Sequence, residues 1–218
     1  MIKQKTYSLD DYFKFTERMP DAKFEFVEGQ IIPLYETQPL EDSFVDFVLS
    51  PDFDPSLSSK EFDMPTQIHD LIVSNLHILF GLLLKKTSFR IYSQASQVFI
   101  EGKAGSRIPD LVVVQKNEES RNKKHQILNP FLMIEVLSKS TQRVDKTDKL
   151  EEYQSLASLE EYLMISQTEA HLIIYRKLQQ NKWEQEIIKG LDQSIALKSL
   201  GSKIALQDIY EEVDFKSA

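Results

Sequence analysis

Two short apolar runs, each carrying a single carboxylate, constrain this chain more than any other feature. The first spans 110–114 and begins with Asp110, and the second spans 131–137 and holds Glu135 among aliphatic residues. Runs of this length and composition predict buried strands. An ionised carboxylate in such a strand is costly unless it is paired, and a second carboxylate nearby adds repulsion. A divalent cation between Asp110 and Glu135 would reverse the sign of that interaction.

The composition narrows the chemistry of any such site. The chain has 218 residues, no cysteine and four histidines, none of which form a close ligand pair. Disulfides, thiolate zinc sites and a cysteine nucleophile are therefore excluded, and oxygen ligands favour Mg²⁺ or Mn²⁺. A formal net charge of −8 counts against a broad nucleic-acid-binding face but is compatible with a local basic channel.

The pattern along the chain predicts an α/β or α+β fold, with a mixed central β-sheet flanked by helices. Ser8 and Asp11 are spaced as a capping box, and Ser140 or Thr141 can cap a later helix. Gly29 predicts a hairpin turn. Helices are predicted over 9–18, 67–86 and 142–156, and strands over 24–27, 30–32, 89–100, 110–114, 131–137, 162–166, 172–175 and 183–188, with a turn at 102–105 and short strands in the tail.

Residues 35–65 contain eight acidic residues and one lysine, and prolines punctuate them. This composition predicts a long irregular loop or a partly ordered insertion, with Phe44, Phe47 and Phe53 packing part of it down. One domain, 1–218, is expected to carry this insertion. No apolar stretch has the length of a signal peptide core or a membrane span, so a cytoplasmic protein without a membrane partner is expected.

A nuclease that uses a metal needs acidic ligands, and a lysine nearby can orient the attacking water. Asp110, Glu135 and Lys149 fit these roles, and Glu25 could supply a further ligand. Simpler interpretations stay open. Glu135 could be a solvated carboxylate at a strand edge, Asp110 a turn residue, and Lys149 one half of an exposed ion pair with Asp145.

The order of these residues resembles a known family. Pro109-Asp110, Glu135-Val136-Leu137-Ser138 and then Asp145, Lys149 and Tyr153 are similar to the Uma2 (DUF820) family of the PD-(D/E)xK restriction-endonuclease-like superfamily. The segments 23–29 (KFEFVEG) and 161–165 (EYLMI) and the histidine at 69 extend the likeness, which covers about 7–212.

The resemblance implies a Mg²⁺- or Mn²⁺-dependent endonuclease that acts on nucleic acid, with DNA favoured, and a homodimer. Asp110, Glu135 and Glu25 are implied as metal ligands, with Glu25 alternatively a structural partner. The superfamily's usual lysine position holds Leu137 here. The resemblance therefore implies a lysine from the following helix, which is Lys149 or, as second choice, Lys146.

Supporting roles are expected for His69, Asp145 and Tyr153. Packing is the alternative for Tyr153, and His69 is expected to be a helix-end or supporting group, with a metal ligand as the alternative. The basic loop with Arg121, Lys123 and Lys124 is expected to be a solvated surface, and a phosphate contact is the lesser possibility.

Two functional alternatives remain. A nuclease-like fold could serve as a non-catalytic binding or regulatory module, which the acidic composition and the displaced lysine favour. The acidic insertion could also cover the cleft and inhibit the enzyme.

Overall fold

The computed structural model describes residues 5–54, 60–93, 96–103, 105–137, 149–179 and 181–215. In chain order the elements are α1 (Leu9–Arg18), β1 (Phe24–Val27), β2 (Gln30–Pro33), α2 (Asp42–Leu49), α3 (Gln67–Leu83), β3 (Phe89–Ser93), β4 (Val98–Ile100), β5 (Gly105–Arg107), β6 (Leu111–Gln115), β7 (Leu132–Leu137), α4 (Leu150–Gln154), β8 (Glu161–Ser166), β9 (His171–Gln179), β10 (Lys182–Lys189), β11 (Ser194–Leu197), β12 (Ser202–Ala205) and α5 (Leu206–Ile209).

A six-stranded sheet in the order β10-β9-β8-β7-β6-β3 forms the centre of the fold. Adjacent strands in this sheet are antiparallel, except for β7 and β8, which run parallel. Leu111 pairs with Ile134 across β6 and β7. Because the register of an antiparallel pair continues one residue at a time, Asp110 comes opposite Glu135 at this end of the sheet. The predicted mixed sheet is confirmed, as is the strand that contains Glu135, whereas Asp110 immediately precedes β6 instead of opening it.

Alternation along β7 divides the core into two layers. Ile134 and its even-numbered neighbours pack with α3 on one face, whereas Met133 and Leu137 pack with Tyr153 of α4 on the other. Because side chains alternate along a strand, Glu135 shares the α4 face with Met133 and Leu137. A helix on each face thus leaves β7 fully buried, which accounts for its continuous apolar sequence.

A second sheet of four strands has the order β2-β1-β5-β4. The β1–β2 hairpin turns at Glu28 and Gly29, which both have positive φ. This sheet packs with α1 and α2 in an aromatic-rich core. The helix α1 starts at Ser8 with the predicted capping box. A third sheet consists of the β11–β12 hairpin alone.

Three predictions about local structure need correction. For residues 35–65 the irregular loop is wrong, but its stated alternative, a partly ordered insertion, is confirmed, because α2 forms within the segment and Phe44 and Phe53 pack against the aromatic core. Val45 and Val48 are fully buried beside α1, and Arg18 donates hydrogen bonds to the carbonyls of Val48 and Ser50. Tertiary packing and these bonds at its carboxyl end stabilise a helix that its acidic sequence context obscured.

The other two errors concern residues 89–107. The predicted strand over 89–100 is two strands, since β3 pairs with β6 in the main sheet while β4 pairs with β5 in the smaller one. Gly102 lies in the turn between β4 and β5, in agreement with the predicted turn at 102–105, but Gly105 begins β5, a strand that was not predicted. The predicted helix over 142–156 is described only from 149 onward, where α4 ends at Gln154, and its proposed caps Ser140 and Thr141 lie outside the described residues.

Candidate active site

The candidate site lies where the two large sheets meet. Ile108, Pro109 and Asp110 connect β5 of the smaller sheet with β6 of the main sheet. This short connection brings β1 and β5 beside the end of β7 and the start of α4. Of the sequence-predicted residues, Glu25, Asp110, Glu135, Lys149 and Tyr153 are all buried here.

Asp110 bridges β7 and α3. Its Oδ2 accepts a hydrogen bond of 2.7 Å from the backbone N–H of Val136, and its Oδ1 lies 3.2 Å from Nε2 of His69. The first turn of α3 presents His69, whose own N–H is capped by the Thr66 hydroxyl. Burial lowers the pKa of His69, but the hydrogen bond and charge of Asp110 outweigh it and raise this pKa overall. The structure thus places His69 both at the start of α3 and next to Asp110, and its supporting role in a reaction stays a prediction.

Glu135 receives two donors from the following helical segment. Its Oε1 lies 3.2 Å from Nζ of Lys149 and accepts a hydrogen bond of 2.9 Å from the Tyr153 hydroxyl. Burial first, and the charge of Glu135 second, raise the pKa of Tyr153 well above its ordinary value of 10.0. Tyr153 therefore stays protonated and donates to Glu135, in addition to packing in the core against Tyr162.

Glu25 faces two cations and a backbone amide. Its Oε2 accepts from Nη1 of Arg107 at 2.9 Å, while its Oε1 accepts from the Ile108 N–H at 3.0 Å and lies 3.4 Å from Nζ of Lys149. Burial would raise the pKa of Glu25, but Lys149 and Arg107 outweigh it and hold that pKa below the ordinary 4.5. Glu25 is therefore ionised at neutral pH.

These contacts revise the reasoning that led to a metal. A cation was expected because the buried carboxylates had no evident partners, yet Asp110 and Glu135 each have protein partners on neighbouring elements. Among the described residues, no group of three or more His, Asp or Glu is arranged to hold a metal ion. The structural explanation of their burial is therefore protein pairing.

Asp110 and Glu135 nevertheless fit a hard divalent cation by chemistry and position. Both offer carboxylate oxygens, and both lie at the same end of the β6–β7 pair, where Asp110 contacts the backbone of Val136, the residue after Glu135. Glu25 fits this role less well, because both of its oxygens are engaged by Arg107, Ile108 and Lys149. The predicted ligand role of Glu25 is thus disfavoured by its contacts, and the structural alternative is favoured.

The remaining predicted residues are either outside the described part of the chain or in the basic loop. Asp145 and Lys146 lie outside the described residues. The basic loop connects the ends of β6 and β7 that are remote from Asp110 and Glu135. In it, Arg121 pairs with Glu119, and Lys124 lies 4.6 Å from the centre of the Phe13 ring. A contact of this loop with a phosphate bound at the candidate site is therefore disfavoured.

Sequence reasoning missed two residues of the cluster, Arg107 and Glu152. They form a doubly hydrogen-bonded pair, with distances of 2.7 and 3.0 Å, and both are buried. Two signals were available. Arg107 stands two residues before the Pro109-Asp110 motif, and Glu152 follows Lys149 by three residues, which is one helical turn.

Comparison with known proteins shows which family the chain belongs to. Residues 61–207 match the family model of Uma2, "Putative restriction endonuclease". The chain belongs to the Uma2 family. That match contains His69, Asp110, Glu135 and Lys149, whereas Glu25 precedes it.

Two proteins of similar sequence come from Synechocystis sp. (strain ATCC 27184 / PCC 6803 / Kazusa). The "Uncharacterized protein sll1609" is 28% identical over 168 residues, which cover 77% of this chain and 79% of the relative. The "Uncharacterized protein slr1290" is 29% identical over 147 residues, covering 67% and 76% respectively.

A solved structure shares the fold. It is the "putative nuclease belonging to DUF820" from Anabaena variabilis ATCC 29413, which is 18% identical, has a TM-score of 0.60, and aligns over 87% of this chain and 90% of its own. The nuclease-like mixed sheet of the Uma2 chain is thereby supported. None of its described helices has both the length and the apolar character needed to cross a bilayer.

Proposed function

We propose that this Uma2 protein is an endonuclease that hydrolyses phosphodiester bonds of nucleic acid, with DNA as the favoured substrate, in the presence of Mg²⁺ or Mn²⁺. The observation that carries the proposal is the convergence of Asp110, Glu135 and Lys149, from three separate elements, at one end of the main sheet. Membership of a family described as "Putative restriction endonuclease" supports the same class of reaction.

Each residue of the cluster has a distinct role in this proposal. Asp110 and Glu135 would hold the divalent cation, which, when bound, polarises the phosphate and acidifies a water molecule. Lys149 contributes a positive charge next to Glu135, where it can orient the attacking water and offset charge that develops on the phosphate. Tyr153 fixes the orientation of Glu135 through its hydroxyl, and His69 does the same for Asp110.

The proposal is tested with supercoiled plasmid DNA and Mn²⁺, followed by gel analysis of nicking and linearisation. Glu135→Gln and Asp110→Asn should remove cleavage, because each keeps the size of the side chain and loses the charge. Lys149→Met should lower the rate by roughly 10²–10³-fold, which is typical of losing one group that stabilises the transition state.

Glu161→Gln is the matched control. Glu161 is also a buried carboxylate on a strand of the main sheet, and it is paired with Arg176. It lies at the opposite end of the strands from Glu135, so this variant should retain cleavage. Full cleavage by both Glu135→Gln and Asp110→Asn would refute the assignment.

A non-catalytic binding or regulatory module is the second candidate. The protein partners of Asp110 and Glu135 favour it, because neither carboxylate depends on a metal for pairing. Calorimetric titration with Mn²⁺ separates the two. Binding by the wild type that is lost in Glu135→Gln supports the nuclease, whereas absence of binding with and without DNA supports the module.

A further inference from the structure

A buried arginine, Arg107, lies at the centre of the site without a role in the hydrolysis proposed above. Its side chain is 3% exposed. Its guanidinium donates two hydrogen bonds to Glu152 and one to Glu25, which are themselves almost completely buried. Burying a guanidinium is costly unless carboxylates pair with it, so this arrangement specifies a geometry rather than simply filling the core.

Arg107 is connected to Lys149 along two routes. In the first, Glu25 accepts from Arg107 with one oxygen and faces the Lys149 ammonium with the other, at 3.4 Å. In the second, Arg107 donates hydrogen bonds to Glu152, which lies about one helical turn after Lys149 on the same helical segment. The helix α4 has five residues, and a helix this short depends on tertiary contacts for its position.

The chemistry of arginine suits this task. Its planar fork can engage Glu152 with two parallel hydrogen bonds while a third N–H reaches Glu25 in another direction. A lysine is a point charge on a flexible stem and cannot reproduce this geometry. The backbone N–H of Ile108 donates to the other oxygen of the Glu25 carboxylate, at 3.0 Å.

We propose that Arg107 and Glu25 are positioning residues that hold the ammonium of Lys149 beside Glu135. They tie α4 to the smaller sheet, and the tie sets where the lysine charge lies relative to Asp110 and Glu135. The effect of these contacts on cleavage rests on the proposed nuclease function, whereas their effect on the position of Lys149 does not.

The experiment measures the reactivity of the Lys149 amine in the full chain by trace acetylation and quantitative peptide mass spectrometry, with exposed Lys14 as internal reference. Lys149 is buried and held, so it should react slowly in the wild type. Arg107→Lys and Glu25→Gln should raise its labelling by about tenfold, the order expected when a hydrogen bond between charged groups is lost.

Arg176→Lys is the matched control. Arg176 is equally buried and also pairs with two acids, Glu161 and Glu186, but at the other end of the main sheet. Its variant should leave Lys149 labelling within twofold of the wild type. Glu25→Gln preserves side-chain volume, so it keeps the test informative if Arg107→Lys does not fold.

A cleavage assay with Mn²⁺ and plasmid DNA supplies the second measurement. Displacing Lys149 should lower kcat with little change in KM, because the interaction lost acts on the reacting phosphate. Unchanged Lys149 labelling in folded Arg107→Lys and Glu25→Gln would overturn the proposal even if the wild type cleaves DNA. If Lys149 labelling rises in the variants but the wild type cleaves no DNA, the positioning role is upheld and the nuclease proposal is refuted.

Discussion

Replacing Arg107 by methionine should destabilise the protein severely. Methionine is of similar length and can fill the space of the aliphatic stem, but it leaves the carboxylates of Glu25 and Glu152 without their shared cation. Glu25 keeps Ile108 and Lys149 as partners. Of the described residues, Lys103 is the one cation left near Glu152, with its Nζ 3.9 Å from Oε1.

The magnitude follows from burial. Breaking a buried ion pair by removing one partner costs about 3–5 kcal/mol, because the remaining charge stays uncompensated. Arg176→Met should cost less, about 1–3 kcal/mol, because one of its partners, Glu186, is 50% exposed and can be solvated. The buried partner, Glu161, also retains the hydroxyl of Ser199 as a donor.

Urea unfolding of wild type, Arg107→Met, Glu152→Gln and the double variant measures this directly. Glu152→Gln removes the charge that Arg107→Met would strand, so the double variant should be more stable than the sum of the single losses by at least about 1.5 kcal/mol. A loss below about 1 kcal/mol for Arg107→Met, or strictly additive losses, would refute the reasoning.

The pH dependence gives an independent check with a fixed sign. The pKa of Glu25 is held below 4.5 in the folded protein. Its stabilising contribution is therefore present above pH 4.5 and disappears as the pH falls through the folded-state value. Because Arg107 is one cause of that lowering, the difference in unfolding free energy between wild type and Arg107→Met should be largest near pH 7 and should shrink below pH 4.5.

Three further predictions concern other parts of the molecule. The pKa of Tyr153 is raised above 10.0, so its stabilising contribution is present below pH 10 and lost above it, and Tyr153→Phe should flatten the fall in melting temperature between pH 9 and 11. Thr66→Val should lower the unfolding free energy by about 1 kcal/mol by removing the cap of α3, whereas Thr66→Ser should retain it. Gly29→Ala should cost more in urea unfolding than Gly201→Ala, because both glycines have positive φ but only at Gly29 would the new Cβ come within 2.8 Å of a neighbouring side chain. The first argument is contradicted if the melting temperatures of wild type and Tyr153→Phe fall equally between pH 9 and 11. The second is contradicted if Thr66→Val and Thr66→Ser lose equal stability, and the third if Gly29→Ala and Gly201→Ala do.

The main sheet could be predicted because its strands carry strong local patterns. The run containing Glu135 is apolar on both faces, and the structure explains this by a helix on each side. The helix α1 was predictable to the residue because Ser8 and Asp11 form a capping box. In both cases the signal lies within a few neighbouring residues, where periodicity and capping chemistry act.

Arg107 could not be found in this way. Its strand has three residues, and its partners, Glu25 and Glu152, are 82 and 45 positions away in the sequence. The helix α2 was missed for a different reason. Its apolar spacing at Val45 and Val48 was present, but the surrounding acids and prolines dominated the composition. Long-range pairing of Arg107 and packing of α2 against α1 decide these features, and the local signals near them are too weak to identify them without those contacts.

The pairing of β1 with β5 has a consequence for biosynthesis. Phe26 of β1 lies opposite Ser106 of β5. Although β1 can pair with β2 at once, it can pair with β5 only after about eighty more residues have been synthesised. Until then one edge of β1 has unpaired backbone groups, and an exposed strand edge is a site for aggregation. A nascent chain that stalls before β5 emerges would therefore be the species most in need of a chaperone, and destabilising changes in 105–107 should reduce soluble yield more than the same loss of stability elsewhere.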